Sequence, residues 1–240
     1  MLEYTTLKKK RRDFLALTGL TPKEFEILLP AFRRAYERKH PPNKTLAGQK
    51  RKREIGGGRQ GGLSGLEQKL LFGLVYLKTY PLQVVQGVMF GISQSRANHW
   101  AHQLLPLLEQ ALDDCGVLPE RDPSQFARHE KRQGEPNDLT IDGTERRRQR
   151  PKKPEKQGEY YSGKKKAHSD KNVIVTNTKT KRVGYLSPTY PGKTHDKKIA
   201  DQQRLKYPRQ AKLRKDSAFQ GYEPAVQQTY QPKKSHRKAN

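Results

Sequence analysis

The apolar residues change their period once along the chain, near Asn137. Before it they recur at helical spacing, and beyond it they fall into short runs with a period close to two. Such a chain folds as a helical N-terminal part followed by a mixed α/β part. Thr21-Pro22-Lys23-Glu24 opens the first clear helix: Thr21 caps it, Pro22 suits its first position and Glu24 completes a capping box. Phe25, Leu28, Leu29, Phe32 and Tyr36 line one face, and Pro41-Pro42 ends the run. A basic, glycine-rich loop follows from Asn43 to Gly62, with Lys50-Arg51-Lys52-Arg53 inside it. Ser64-Gly65-Leu66-Glu67 reads as a second capping box, and the helix behind it runs over 66–80 until Pro81.

A short helix from Leu82 to Phe90, the turn Gly91-Ile92-Ser93 and a longer helix over 94–112 have the outline of a helix-turn-helix. Gln94, Ser95, Arg96, Asn98 and His99 stand at the start of the second helix, and such side chains reach base edges in a major groove. Helical hairpins of the same outline also occur without touching DNA. Trp100, Leu104, Leu105 and Leu108 are assigned to the core rather than to contact.

Charge selects the partner. The 240 residues carry 50 Lys and Arg against 24 Asp and Glu, a net charge of +26. Residues 1–60 hold 16 basic and 6 acidic side chains, residues 61–130 hold 5 and 7, and residues 131–240 hold 29 and 11. A surplus of this size repels itself in a compact state and calls for a polyanion, nucleic acid first. Lys8-Lys9-Lys10-Arg11-Arg12 resembles a nuclear localisation run and reads more simply as a DNA-backbone contact or a solvated tail. No apolar run approaches the roughly 18 residues needed to span a bilayer, so no membrane partner is expected. The first residues lack the apolar core of a secretory signal. The single cysteine, Cys115, excludes an intramolecular disulfide and any multi-cysteine zinc site. A cytoplasmic protein associated with the nucleoid fits these features.

In the second part, short strands are expected at Leu139–Asp142, Asn172–Thr176, Arg182–Ser187 and Lys212–Asp216, with a helix from His195 to Tyr207. Asp142 and Asp216 each end a strand in basic surroundings. Mg²⁺ takes hard oxygen ligands, usually one or two protein carboxylates with water and phosphate. Two such ions roughly 4 Å apart serve phosphodiester chemistry. A strand-end aspartate by itself is more often a turn former or an arginine partner, and that reading stands beside the catalytic one. Arg146-Arg147-Arg148 and Lys164-Lys165-Lys166 supply phosphate contacts. Tyr160 or Tyr161 either stacks on a displaced base or packs on the core.

Ile141-Asp142-Gly143-Thr144-Glu145, then Arg150-Pro151, Tyr160-Tyr161-Ser162-Gly163 with Lys164–Lys166, and His168 form an ordered series. Pro191-Gly192, His195-Asp196, Asp216-Ser217, Gln220-Gly221-Tyr222 and Pro232-Lys233-Lys234 continue it. The series resembles the DDE transposases of the insertion-sequence-five type, relatives of the Harbinger-like DDE endonucleases. The resemblance implies an α+β chain. Residues 1–60 would form a basic helix and loop, 61–118 an all-α helix-turn-helix domain, and 138–240 an incomplete, ribonuclease-H-like mixed α/β domain. It implies Mg²⁺ or Mn²⁺ held by Asp142 and Asp216, with Asp142 bridging two ions and Asp196 as a possible further ligand or a helix cap. Water would cut DNA at transposon ends, and the freed 3′-hydroxyl would attack target DNA. The partners implied are DNA and a second copy or a full-length transposase.

The resemblance also implies a third acid, a glutamate on a helix well downstream of Asp216. The chain runs 24 residues past Asp216, and Glu223, directly before Pro224, is the only acid there. A glutamate before proline is poorly placed for that helix. The expectation is therefore a C-terminally truncated DDE protein, inactive alone. The alternative is a non-catalytic DNA-binding protein acting as an inhibitor of transposition or persisting as a relic.

Overall fold

A computed structural model describes residues 1–41, 49–50, 63–134 and 137–232. Most of the loop expected over 43–62, including Arg51–Arg53, and Lys233-Lys234 lie outside the described residues. The chain divides into two compact units, Met1–Val117 and Leu118–Asn240.

The first unit is helical: α1 (Tyr4–Leu7), α2 (Arg11–Thr18), α3 (Pro22–Lys39), α4 (Leu66–Thr79), α5 (Gln83–Phe90) and α6 (Gln94–Asp114). The Thr21 capping box forms as the sequence predicts, with Glu24 N donating to Thr21 Oγ1 at 3.3 Å and Thr21 N to Glu24 Oε2 at 2.7 Å. The second box does not form. Gly65, at φ +82, is the cap of α4 and offers no side chain, so Ser64 stands outside the helix. Two helices precede Thr21 where the sequence suggested only a basic tail, because Phe14 is fully buried and packs edge-on to Phe25 at 5.4 Å. Phe25, Phe32, Leu70, Leu71, Phe72, Phe90, Leu104 and Leu107 complete one core to which all six helices contribute, the short α1 through Leu7. Each buried Phe or Leu stabilises the unit by about 1.5–3 kcal/mol.

The second unit holds α7 (Phe126–Gln133), β1 (Asp138–Arg147), α8 (Pro154–Tyr160), β2 (Tyr161–Ser162), β3 (Ala167–Asn177), β4 (Val183–Leu186), β5 (Tyr190–Pro191), α9 (Asp196–Gln203), β6 (Lys212–Lys215) and β7 (Gln228–Tyr230). The sheet order is β2-β3-β1-β6-β7, with β4 and β5 also pairing β3. β1 is antiparallel to β3 and parallel to β6, which is parallel to β7. A helical unit followed by a mixed α/β sheet unit is the expected architecture.

Several boundaries move. β1 does not stop at Asp142 but pairs with β3 as far as Arg147 and Ser169. Gly143 lies inside the strand, opposite Val173, where a Cβ would meet the Asp196 side chain at 2.6 Å. α9 ends at Gln203, with Arg204 left-handed, rather than at Tyr207. α7 and α8 went unforeseen because they are polar and short, α7 being anchored by Phe126 alone among its apolar side chains. Leu139, Ile141, Val173, Val175, Leu213, Ile199, Phe219 and Tyr185 form the core on one face of the sheet.

Candidate active site and nucleic-acid interface

The sheet register sets the site. Along β1 successive side chains alternate between faces, so Leu139, Ile141, Gly143 and Glu145 share the core face while Thr140, Asp142, Thr144 and Arg146 share the other. In β6 Leu213 pairs Leu139 and Lys215 pairs Ile141 on the core side, and Arg214 pairs Thr140 on the outer side. Asp142, inside β1, and Asp216, just past the end of β6, are the residues that follow the last pair of that ladder, Ile141 with Lys215. Both are exposed. Each carboxylate is oriented by a backbone amide: Gly143 N donates to Asp142 Oδ1 at 2.7 Å and Ala218 N to Asp216 Oδ1 at 3.0 Å. Asp216 also caps the short 3₁₀ turn Ser217–Phe219, and its carbonyl accepts from Gln231 Nε2 at 2.7 Å.

Asp196 does not join them. As the first residue of α9 it reaches the core face and lies over Gly143, where a Cβ would meet its Cγ and Oδ1 at 2.6 Å. There Asp196 Oδ1 is 3.1 Å from Lys171 Nζ, which is also 3.3 Å from Glu145 Oε1. Ser169 Oγ donates to Glu145 at 3.0 Å. Burial pushes the Glu145 carboxyl up, but hydrogen bonds from Ser162, Ser169 and Lys171 together with the Lys171 charge bring it below its ordinary value. Two carboxylates against one ammonium make this a paired buried cluster, which the sequence did not reveal. A signal existed: a lysine at a core-facing position of a strand requires acidic partners.

Glu223 is likewise engaged. The Lys215 side chain, 1% exposed, donates to Tyr222 O and to Glu223 Oε1, the latter at 2.8 Å. Among the described residues no group of three or more His, Cys, Asp or Glu side chains is placed to hold a metal ion.

The basic residues sort by the same alternation. Arg146 and Arg148 share the outer face with Asp142, whereas Arg147 faces the other way, opposite Ser169. Arg146 Nη2 donates to Asn172 Oδ1 at 2.9 Å, and Arg148 Nη1 to Asp170 Oδ1 at 2.8 Å while stacking at 3.9 Å on the Tyr160 ring. Lys164, Lys165 and Lys166 are exposed on the turn joining β2 and β3, with Lys166 left-handed at φ +48. Tyr160 and Tyr161 both stand outside the core.

In the helical unit, α5 and α6 meet at a close turn. A Cβ on Gly87 would sit 2.6 Å from Ile92 O, so only glycine admits this approach of the two helices. Ser93 caps α6 by accepting from Arg96 N at 3.3 Å. Gln94, Ser95, Arg96 and His99 are exposed at the helix start, and Asn98 is half-buried. Gln94 Nε2 donates to Gln83 Oε1 at 2.9 Å, tying the two helices at that surface. Leu104 and Leu108 are buried, and Trp100 and Leu105 lie at the edge of the core.

Residues 141–239 match the family model described as DDE superfamily endonuclease, and residues 62–114 match the model described as helix-turn-helix of DDE superfamily endonuclease. No curated protein and no solved structure gives a significant match. No helix among the described residues is long and apolar enough to cross a membrane. Two segments of the chain are thus similar to the helix-turn-helix and to the endonuclease domain of the DDE superfamily, a pairing that implies DNA binding and supports a transposase-like function.

Proposed function

We propose that this chain is a transposase-type protein of the insertion-sequence-five, Harbinger-related kind, in which Asp142 and Asp216 hold Mg²⁺ or Mn²⁺ against a DNA phosphodiester. The observation that supports the reading is the ladder of β1 with β6, whose last pair, Ile141 with Lys215, is followed on each chain segment by an exposed aspartate. The donor set suits the ion, since hard carboxylate oxygens open to water and phosphate are what Mg²⁺ takes. A divalent ion bound there supplies activation of the attacking oxygen and stabilisation of the leaving one. The reaction assigned is hydrolysis at the end of a mobile element, followed by attack of the freed 3′-hydroxyl on target DNA.

The chain's own side chains bind and orient. Gln94, Ser95, Arg96, Asn98 and His99 present base-reading groups at the start of α6. Arg146, Arg148 and Lys164–Lys166 anchor phosphates and fix the register of the strand. Arg147 gives general attraction from the opposite face, and Asp196 keeps Lys171 paired. Association with a second copy or with a longer transposase, and residence at the nucleoid, belong to the same reading.

A non-catalytic reading is favoured by one further observation. Asp196 and Glu223 are committed to buried lysines, and Asp170 to Arg148, so among the described residues no third acid stands with Asp142 and Asp216. Two carboxylates hold the ions weakly. The 240-residue chain by itself is therefore proposed to bind DNA without cutting it, as an inhibitor or relic would. Supercoiled plasmid incubated with the purified chain and Mn²⁺ tests this. Retarded but intact plasmid is expected; nicking abolished by Asp142→Ala would overturn the non-catalytic reading while upholding the site.

A further inference from the structure

We propose that the cleft between α8 and the β2–β3 turn takes a single nucleotide unstacked from a DNA strand lying along the aspartate face, an inference that rests on the DNA-binding reading above. The outer face of β1 and β3 forms a track. Arg148, directly after the end of β1, is six residues from Asp142, roughly 20 Å at the rise of an antiparallel strand. Arg148 N donates to His168 O, and His168 pairs with Tyr161 across β2 and β3. The track thus begins at carboxylates, passes Arg146 and Arg148, and ends at an aromatic ring.

At that end lies an open cleft of about 610 Å³, within the range of small-ligand sites. Tyr161 is fixed by a T-shaped contact with His168, ring centroids 5.6 Å apart, yet stays 44% exposed. Its neighbour Tyr160 is covered by Arg148, so only one of the two rings is offered. Arg150 is held in place by Gln157, whose Oε1 accepts from Nε at 3.0 Å and from Nη2 at 2.7 Å, while the Gln157 amide donates to Pro151 O. Arg150 and Lys193 form no ion pair among the described residues, which leaves two cationic heads on the cleft without a counter-ion. Gly158 and Gly163 also line it. A Cβ on either would meet nothing within 4 Å, and neither is left-handed, so packing and backbone do not require glycine there. Their missing side chains leave the mouth wide. A π-face beside two unpaired cations matches a base with its phosphate, and stacking of this kind tolerates any base.

The experiment uses the full chain without divalent metal and oligonucleotides with a single-stranded arm, carrying 5-iododeoxyuridine at successive positions. Binding is read by fluorescence anisotropy at 50 mM salt, and photo-cross-links are mapped by mass spectrometry. Cross-links to Tyr161 or His168 from one or two adjacent positions are expected. Tyr161→Ala should abolish them and weaken binding about tenfold, the scale of one lost base stack, while Tyr161→Phe should preserve both. Lys193→Ala should weaken binding with the cross-link position unchanged. Tight binding with cross-links spread elsewhere, or unaffected by Tyr161→Ala, would overturn the cleft and leave the DNA-binding reading intact. Absence of any binding would overturn both. Displacement by free deoxynucleoside monophosphate as potent as displacement by the oligonucleotide would assign the cleft to a mononucleotide and overturn the strand.

Discussion

Gly143→Ala should unsettle the sheet unit although the substitution adds only one methyl group beside the outer-face aspartate. The new Cβ would stand 2.6 Å from Asp196 Cγ and Oδ1, and Asp196 is anchored at the start of α9 and paired with Lys171. Overpacking of this kind costs about 1–3 kcal/mol. Moving Asp196 away also deprives Lys171 of one of its two partners, and complete unpairing of a buried charge costs about 3–5 kcal/mol. Glu145 remains at 3.3 Å, so only part of that is lost. The total is about 2–4 kcal/mol, or a fall in melting temperature of roughly 10 °C for a unit of this size. Near-ultraviolet circular dichroism follows both units, seven of the 11 tyrosines lying in the sheet unit and four in the helical one. Fluorescence of Trp100, the single tryptophan, follows the helical one. In an Asp196→Ala background the three atoms nearest the added methyl group are gone, and its cost should drop below about 1 kcal/mol. Equal costs in both backgrounds would refute the claim that Asp196 lies over Gly143.

Other consequences are as direct. DNA affinity should fall about 10³–10⁵-fold between 50 and 200 mM salt if 6–10 phosphates are neutralised, and salt-insensitive binding would contradict the electrostatic account. Arg146→Ala and Arg148→Ala should each reduce the salt slope by about 1, with Arg147→Ala changing it less, since Arg147 lies on the opposite sheet face. Glu223→Gln should cost about 1–3 kcal/mol in urea unfolding by leaving the Lys215 ammonium short of a partner, whereas Lys215→Met should stay within about 1 kcal/mol. Because the Glu145 pKa is lowered in the folded state, its stabilising contribution is complete above the ordinary carboxylate range and is lost as pH falls from there through the lowered folded-state value. Glu145→Gln should flatten that acid limb of the stability profile.

Local signals were legible in the sequence, and long-range ones were not. The Thr21 capping box and the α5–α6 turn depend on residues a few positions apart, and both are present. Ser64 fails as a cap because Gly65 adopts a left-handed entry that no periodicity records. The strand nature of residues 139–142 was visible, yet Gly143 concealed the strand's continuation, because a glycine admitting a close neighbour looks in sequence like one making a turn. The neighbouring positions of Asp142 and Asp216 depend on a parallel pairing between residues far apart in the chain, which strand patterns cannot fix. By its motif Asp196 reads as a further ligand or a helix cap, and it is the first residue of α9. Its position over Gly143, on the core face, follows only from the docking of α9 on the sheet.

Mn²⁺ binding to the full chain, measured by electron paramagnetic resonance of the free ion, tests the central claim most directly. The account predicts weak binding that Asp142→Asn and Asp216→Asn each abolish and that Glu223→Gln leaves unchanged. Binding that survives both aspartate substitutions would contradict the assignment of the outer sheet face as the metal site.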